Sequence, residues 1–179
     1  YTWGLDLSGS LQGAGGIGGL LAAALDGTTA LYCYDANGNV GQLVSANGEL
    51  LAHYEYSPFG ETIVSTGPLA ESNPFRFSAK WHDEGCGLVW YGYRWYRADA
   101  GRWNSRERLS EDRGSTQYIF VQNTSVNSID AYGEKVIRMP PTKDYRPGEG
   151  GTWCAKDANG VPNGDIKTSA LEWPECPNK

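Results

Sequence analysis

From Leu31 onward, apolar and polar residues alternate in short runs, and turn-forming residues separate the runs. Leu31-Tyr-Cys-Tyr-Asp35, Val40-Gly-Gln-Leu-Val44 and Glu49-Leu-Leu-Ala-His-Tyr-Glu-Tyr56 flank the turns Ala36-Asn-Gly-Asn39 and Ser45-Ala-Asn-Gly48. A period of two marks strands that bury one face, and Asn-Gly between them marks hairpins, because both residues tolerate positive φ. The interval from Tyr34 to Tyr54 and Tyr56 is one repeat of about twenty residues, as expected when each repeat is a hairpin added to a continuous sheet. Asn73-Pro-Phe-Arg-Phe77, Leu88-Val-Trp-Tyr-Gly-Tyr-Arg-Trp-Tyr96, Gly101-Arg-Trp103 and Gln117-Tyr-Ile-Phe-Val121 extend the pattern of strands and turns. Helix signals are few: a Leu/Ala-rich stretch from Gly19 to Leu25, and a turn or two over Ser105 to Glu111. Beyond Gly133, Pro140, Pro141, Pro147, Pro162, Pro174 and Pro177 interrupt every candidate element, and a loop-rich tail is expected from about residue 135.

Composition sharpens this picture. With 11 Tyr and 7 Trp against 4 Phe, and 24 Gly, the chain favours strands and tight turns over helices. Its 179 residues suit one domain, or one domain with an appendage. A formal net charge of −6 leaves no basic footprint for nucleic acid or an anionic membrane. No apolar run reaches the roughly 20 residues that span a bilayer. Tyr1 reads as mid-strand and no Met precedes it, which suggests a processed or truncated piece of a longer protein, with unpaired backbone at that edge open to self-association.

Cys33, Cys86, Cys154 and Cys176 form no C-x-x-C pair, so no metal site is expected. Cys154 and Cys176 bracket the tail and are candidates for a disulfide if the protein is secreted; Cys33 and Cys86 read as unpaired buried thiols.

Tyr34-Asp35-Ala-Asn-Gly-Asn39 resembles the signature of YD repeats, and Tyr56-Ser-Pro-Phe-Gly60-Glu61 resembles the segment that follows it. Tyr91-Gly-Tyr-Arg94-Trp-Tyr96 with Gly101-Arg-Trp103, and Phe120-Val-Gln-Asn123 with Val126-Asn127-Ser-Ile-Asp130, resemble the start and end of the RHS-associated core. The opening from Trp3 to Gly18 resembles the stretch before that core. The chain is thereby identified as a member of the RHS/YD-repeat family. The resemblance implies a mainly β fold: antiparallel YD hairpins of a spiralling shell over residues 1–75, an RHS core plug over 76–134, few short helices, and a variable, loop-rich tail over 135–179. It also implies a secreted or cell-surface bacterial protein whose partners are its own upstream shell and its tail.

Self-cleaving members of that family use an Arg and two Asp, which fall by motif on Arg94, Glu107 and Asp130, with the cut after Glu134. Two carboxyls sharing a proton can activate water and polarise a carbonyl, while a guanidinium keeps one ionised. The motif is altered here: Glu107 replaces Asp, Arg108 and Ala131 replace Pro, and Glu134 replaces an apolar residue. A carboxyl moved by a methylene is misplaced on the order of 1 Å, which can cost roughly 100-fold in rate. The expected role is therefore structural, closing the shell and presenting the tail, with self-cleavage degenerate. An active aspartyl autoprotease and a cargo-free adhesion or self-assembling module are the alternatives.

Other motifs carry less. Gly13-Ala-Gly15-Gly-Ile-Gly18 fits G-x-G-x-x-G, yet no buried parallel strand precedes it and no βαβ unit follows, so no nucleotide or other cofactor is expected. His82-Asp-Glu-Gly-Cys86 and His53 read as surface residues. Asn123-Thr-Ser125 fits a glycosylation acceptor. Trp90 to Tyr96 could stack on carbohydrate, but sheet packing is the better reading, with Arg94 alternatively a cation–π partner of Trp90 or Trp95.

Overall fold

The computed structural model describes residues 1–106, 117–134 and 136–137, and the backbone alone of 138, 154–156 and 162–165. Six strands form an antiparallel meander in chain order: β1 Thr2–Trp3, β2 Leu20–Leu25, β3 Thr28–Tyr34, β4 Val40–Val44, β5 Leu50–Tyr56 and β6 Thr62–Thr66. A second sheet has the order β10-β9-β8-β7, with β7 Trp81–Asp83, β8 Leu88–Trp90, β9 Trp95–Arg97 and β10 Arg102–Trp103. Hairpins pair β11 Ser128–Asp130 with β12 Val136–Arg138, and β13 Cys154–Lys156 with β14 Pro162–Asp165. Helical structure among the described residues is confined to short 3₁₀ turns, including Phe77–Ala79 and Val121–Asn123.

Three hairpin turns of the first sheet share one construction. Asp35, Ser45 and Ser57 each accept, on a side-chain oxygen, the backbone N–H four residues ahead. Gly38, Gly48 and Gly60, three residues ahead, hold φ of 75°, 83° and 86°. Each glycine N–H donates to the backbone carbonyl of the turn's first residue. Positive φ is what lets the turn follow the strand twist and close with a bulge, and only glycine adopts it without strain.

Alternation then sorts the side chains. Leu20, Ala23, Leu25, Ala30, Tyr32, Val40, Leu43, Leu51, Ala52 and Tyr54 are buried on one face, where Leu69, Ala70 and Ala79 cover them. The tyrosines repeat as pairs: Tyr32 stacks on Tyr34 and Tyr54 on Tyr56, both at 6.4 Å between centroids. Tyr34 Oη donates to the Leu20 carbonyl at 2.5 Å, and Tyr56 Oη to the Val40 carbonyl at 2.8 Å. The same position in successive repeats thus satisfies a strand laid down earlier. Tyr32 Oη donates to Asn73 at 2.6 Å and Tyr54 Oη to the Ala70 carbonyl at 2.9 Å.

The second sheet packs Val89, Tyr91, Tyr96, Trp103, Phe120 and Phe77 into an aromatic core, with Tyr96 and Phe120 rings 4.1 Å apart. Its other face carries Trp81, Trp90 and Trp95, which are cross-strand neighbours. Tyr56 and Phe59 pack against this core as well, so the two sheets share a boundary.

Several expectations are corrected. Gly19 to Leu25 is not helical: Leu20–Leu25 pairs with β1 and β3, and pairing on both sides outweighs the helix propensity of Leu and Ala. Gln117–Val121 contributes one bridge, Ile119 to Arg102, before the chain enters a 3₁₀ turn. Cys33 and Cys86 are unpaired as expected, but exposed. His82 is partly buried, 3.8 Å from Glu84, and burial lowers its pKa. Most of the helix expected over Ser105 to Glu111 lies outside the described residues, as do Glu107 and Cys176, while only the backbone of Cys154 is described.

Candidate functional site

Arg94 closes the bend between β8 and β9, where its carbonyl accepts the Tyr91 N–H at 3.1 Å. It is 5 % exposed, and its guanidinium carbon sits 4.0 Å from the Trp103 ring centroid. The cation–π partner is therefore Trp103, because Trp90 and Trp95 face the other side of the sheet. Asp130 ends β11 and is 1 % exposed. Its Oδ2 lies 3.6 Å from Arg94 Nη2, so the structure brings together two of the three residues named from the sequence.

Around them the chain turns back. Asp130 Oδ1 accepts the N–H groups of Tyr132, Gly133 and Glu134 at 3.2, 2.7 and 3.0 Å. Three successive carbonyls are held by separate donors: Ala131 by Lys80 Nζ at 2.6 Å, Tyr132 by the Tyr93 N–H at 3.0 Å, and Gly133 by Arg94 Nε. Asp130 pairs across with Val136, and in sequence the bond after Glu134 falls between these paired positions. The segment beyond that bond returns to the core, where Val136 and Ile137 pack against buried residues.

Electrostatics follow from burial. Desolvation pushes the Asp130 carboxyl above its ordinary value, against the backbone N–H groups and Arg94, which favour its ionised form. Desolvation pushes Lys80 down to about 8, against the pull of Asp130 and Asp6. A carboxyl so placed can take a proton more readily than a surface one, and it organises the turn in either state.

Lys80 and Trp103 took part in no sequence-level reading of the site. Lys80 carries no local signal and Trp103 was legible only within the Gly101-Arg-Trp103 motif, since what unites them with Arg94 and Asp130 is proximity across the fold.

The remaining motifs resolve into turns. The glycine-rich segment wraps a carboxylate of its own chain: Asp6 Oδ2 accepts the N–H groups of Ala14 at 2.8 Å and Gly16 at 3.0 Å. Asp83 caps the β7–β8 hairpin by accepting the N–H groups of Gly85 and Cys86. No group of His, Cys, Asp and Glu suited to a metal occurs among the described residues. Nor is any helix among them long and apolar enough to cross a membrane. The Trp90 to Tyr96 run divides, with Tyr91 and Tyr96 in the core and Trp90 and Tyr93 at the surface.

Comparison with known proteins is consistent across sequence and structure. Residues 18–130, more than half of the chain, match the family described as Teneurin YD-shell. Toxin subunit YenC1 of Yersinia entomophaga is 32% identical over 106 residues, which are 57% of this chain and 11% of that protein. Salivary gland surface protein 1 of Aedes aegypti is 29% identical over 99 residues, 55% of this chain and 3% of that protein. A chain in the crystal structure of TcdB2-TccC3-Cdc42 superposes with a TM-score of 0.55 at 27% identity, covering 60% of this chain and 5% of that one. The chain thus spans about a tenth or less of the length of these relatives.

Proposed function

This chain belongs to the Teneurin YD-shell family, and from that premise we propose that it closes the β-shell of a secreted or cell-surface bacterial protein of the RHS type. It is related to bacterial polymorphic-toxin and Tc-toxin components, and its β-sheet module is homologous to theirs. In this reading residues 1–75 are the end of a spiralling YD-repeat shell, 76–134 are the RHS-associated core that plugs it, and 135–179 are a variable tail that the core presents. The partners are the upstream shell and the tail itself, with contacts between sheet edges a further route to assembly.

One observation carries the structural role over the enzymatic one. Asp130 Oδ1 is committed to three backbone N–H groups of the turn, and β12, on the far side of the candidate cut, stays paired with β11 and packed on the core.

The second reading, a single-turnover aspartyl autoprotease using Arg94, Glu107 and Asp130, is favoured by the carboxyl raised through burial beside a buried guanidinium. Cleavage by that route would break the Glu134–Lys135 amide, adding water to give a carboxyl and an amine.

Intact mass of the purified chain under non-reducing conditions, beside Asp130→Asn, decides between them. An unbroken chain in both is the expected result. A break between Glu134 and Lys135 that vanishes in the variant would replace the plug with the protease. The same spectrum reads whether a disulfide has formed, since one removes two hydrogens, and peptide mapping assigns it to Cys154 and Cys176 or to another pair.

A further inference from the structure

Lys80 precedes β7 and is 7 % exposed. Its ammonium donates to the Gly15 and Ala131 carbonyls, each at 2.6 Å. It also lies 5.4 Å from the Tyr91 ring centroid and 5.7 Å from that of Tyr132. A buried ammonium is costly unless its donors are met, and here two carbonyls and two aromatic rings surround it.

The two carbonyls belong to segments far apart in sequence. Gly15 lies in the glycine-rich loop pinned by Asp6, and Ala131 begins the turn that leads to Glu134. At Gly15 φ is 64°, and a Cβ there would overlap the Ala131 carbonyl oxygen, so the loop meets the turn as bare backbone. Tyr132 Oη adds a hydrogen bond to the Gln12 carbonyl at 2.5 Å. The G-x-G-x-x-G spacing thus serves a contact within the chain.

We propose that Lys80 is a positioning residue for the turn of residues 131–134, tying it to the glycine-rich loop so that the placement of the Glu134–Lys135 bond depends on the N-terminal segment. This rests on the reading that residues 131–134 link the RHS-associated core to the tail. Lys80 holds the first of the three anchored carbonyls, while Tyr93 and Arg94 hold the next two. Without Lys80 the turn keeps its far end, while its contact with residues 12–15 is left to the Tyr132 hydroxyl.

The ammonium faces Asp130 at the end of β11 and Asp6 from the N-terminal segment, with the rings of Tyr91 and Tyr132 beside it. Burial lowers it from its ordinary 10.5 to about 8, and an undocked turn would return it to water. A lowered value in the docked form means that docking strengthens as pH rises from about 8 toward 10.5 and is insensitive to pH below about 8, where both forms are protonated.

Hydrogen–deuterium exchange of the full chain tests this, comparing the Tyr132, Gly133 and Glu134 amides with those of β4 in the parent, Lys80→Met and Gly15→Ala. Both variants are expected to speed exchange at the three turn amides roughly tenfold or more, with β4 unchanged. In the parent, protection of the turn should rise across the alkaline window, and in Lys80→Met it should stay flat. Turn amides as protected in both variants as in the parent, or β4 exchanging in step with the turn, would overturn the proposal. If Lys80→Met fails to fold, Gly15→Ala and the pH profile of the parent carry the test. Intact mass tests the underlying reading separately, because the chain can be cut or whole with the turn still docked.

Discussion

The six-stranded sheet and the four-stranded sheet bury comparable side chains by different means. In the first, strands follow one another in chain order, three turns repeat the same side-chain cap, and each repeat's tyrosine hydroxyl meets a carbonyl of a nearby strand. In the second, short strands surround an aromatic core, and the buried charges of Lys80, Arg94 and Asp130 converge from separate segments. Repetition suffices where contacts are local. Placing a carboxyl and two cations on one turn needs the whole second region folded around them.

Substitutions can test that contrast, beginning with the largest effect. Trp103→Ala should destabilise the second region by about 4 kcal/mol, since it removes a fully buried ring and the face beneath Arg94. Denaturant unfolding followed by exchange should show β7 to β10 opening before β2 to β5; simultaneous loss of both sheets would mean that they behave as one unit.

Arg94→Met should cost about 3 kcal/mol near neutral pH, because it leaves the buried Asp130 carboxylate with less compensation. Asp130 already titrates above its ordinary value, and losing the guanidinium raises it further. A raised carboxyl is least costly when protonated in both folded and unfolded chains, so the deficit should shrink as pH falls toward about 4 and grow as pH rises. Melting curves of parent and variant from acid to neutral pH measure this. A deficit independent of pH would mean that Arg94 acts through packing alone.

The first sheet should respond in smaller steps. Gly48→Ala forces a side chain into positive φ, with nothing within 4 Å to clash, and should cost about 1 kcal/mol. Tyr34→Phe leaves the Leu20 carbonyl without its donor and should cost about 1 kcal/mol. Equal costs for Tyr34→Phe and Tyr56→Phe, read from chemical denaturation, would show that the two repeats are energetically alike.

The same contrast explains what could be read from the sequence. Asn37-Gly38 and Asn47-Gly48 announce their hairpins because the turn chemistry is local, and the Tyr spacing announces the repeat. β2 was hidden because Leu-Leu-Ala-Ala-Ala-Leu suits a helix, and only pairing with Thr28–Tyr34 makes it a strand. In the second region Arg94 and Asp130 were legible only through resemblance to a family motif. Lys80 has no motif, and its role appears only when Gly15 and Ala131 lie side by side. The pairing of Cys154 with Cys176 and the position of Glu107 depend on residues beyond those described.

The distribution of aromatic rings has an optical consequence. The first sheet holds Tyr32, Tyr34, Tyr54 and Tyr56 with the single indole of Trp3, whereas Trp81, Trp90, Trp95 and Trp103 lie in the second. Trp103 sits in a dry pocket under a guanidinium, so its emission should be blue-shifted, while Trp81 and Trp90 emit from near water. Excitation at the red edge, where only indole absorbs, therefore reports on the second sheet selectively once Trp3, Trp153 and Trp173 are replaced by Phe.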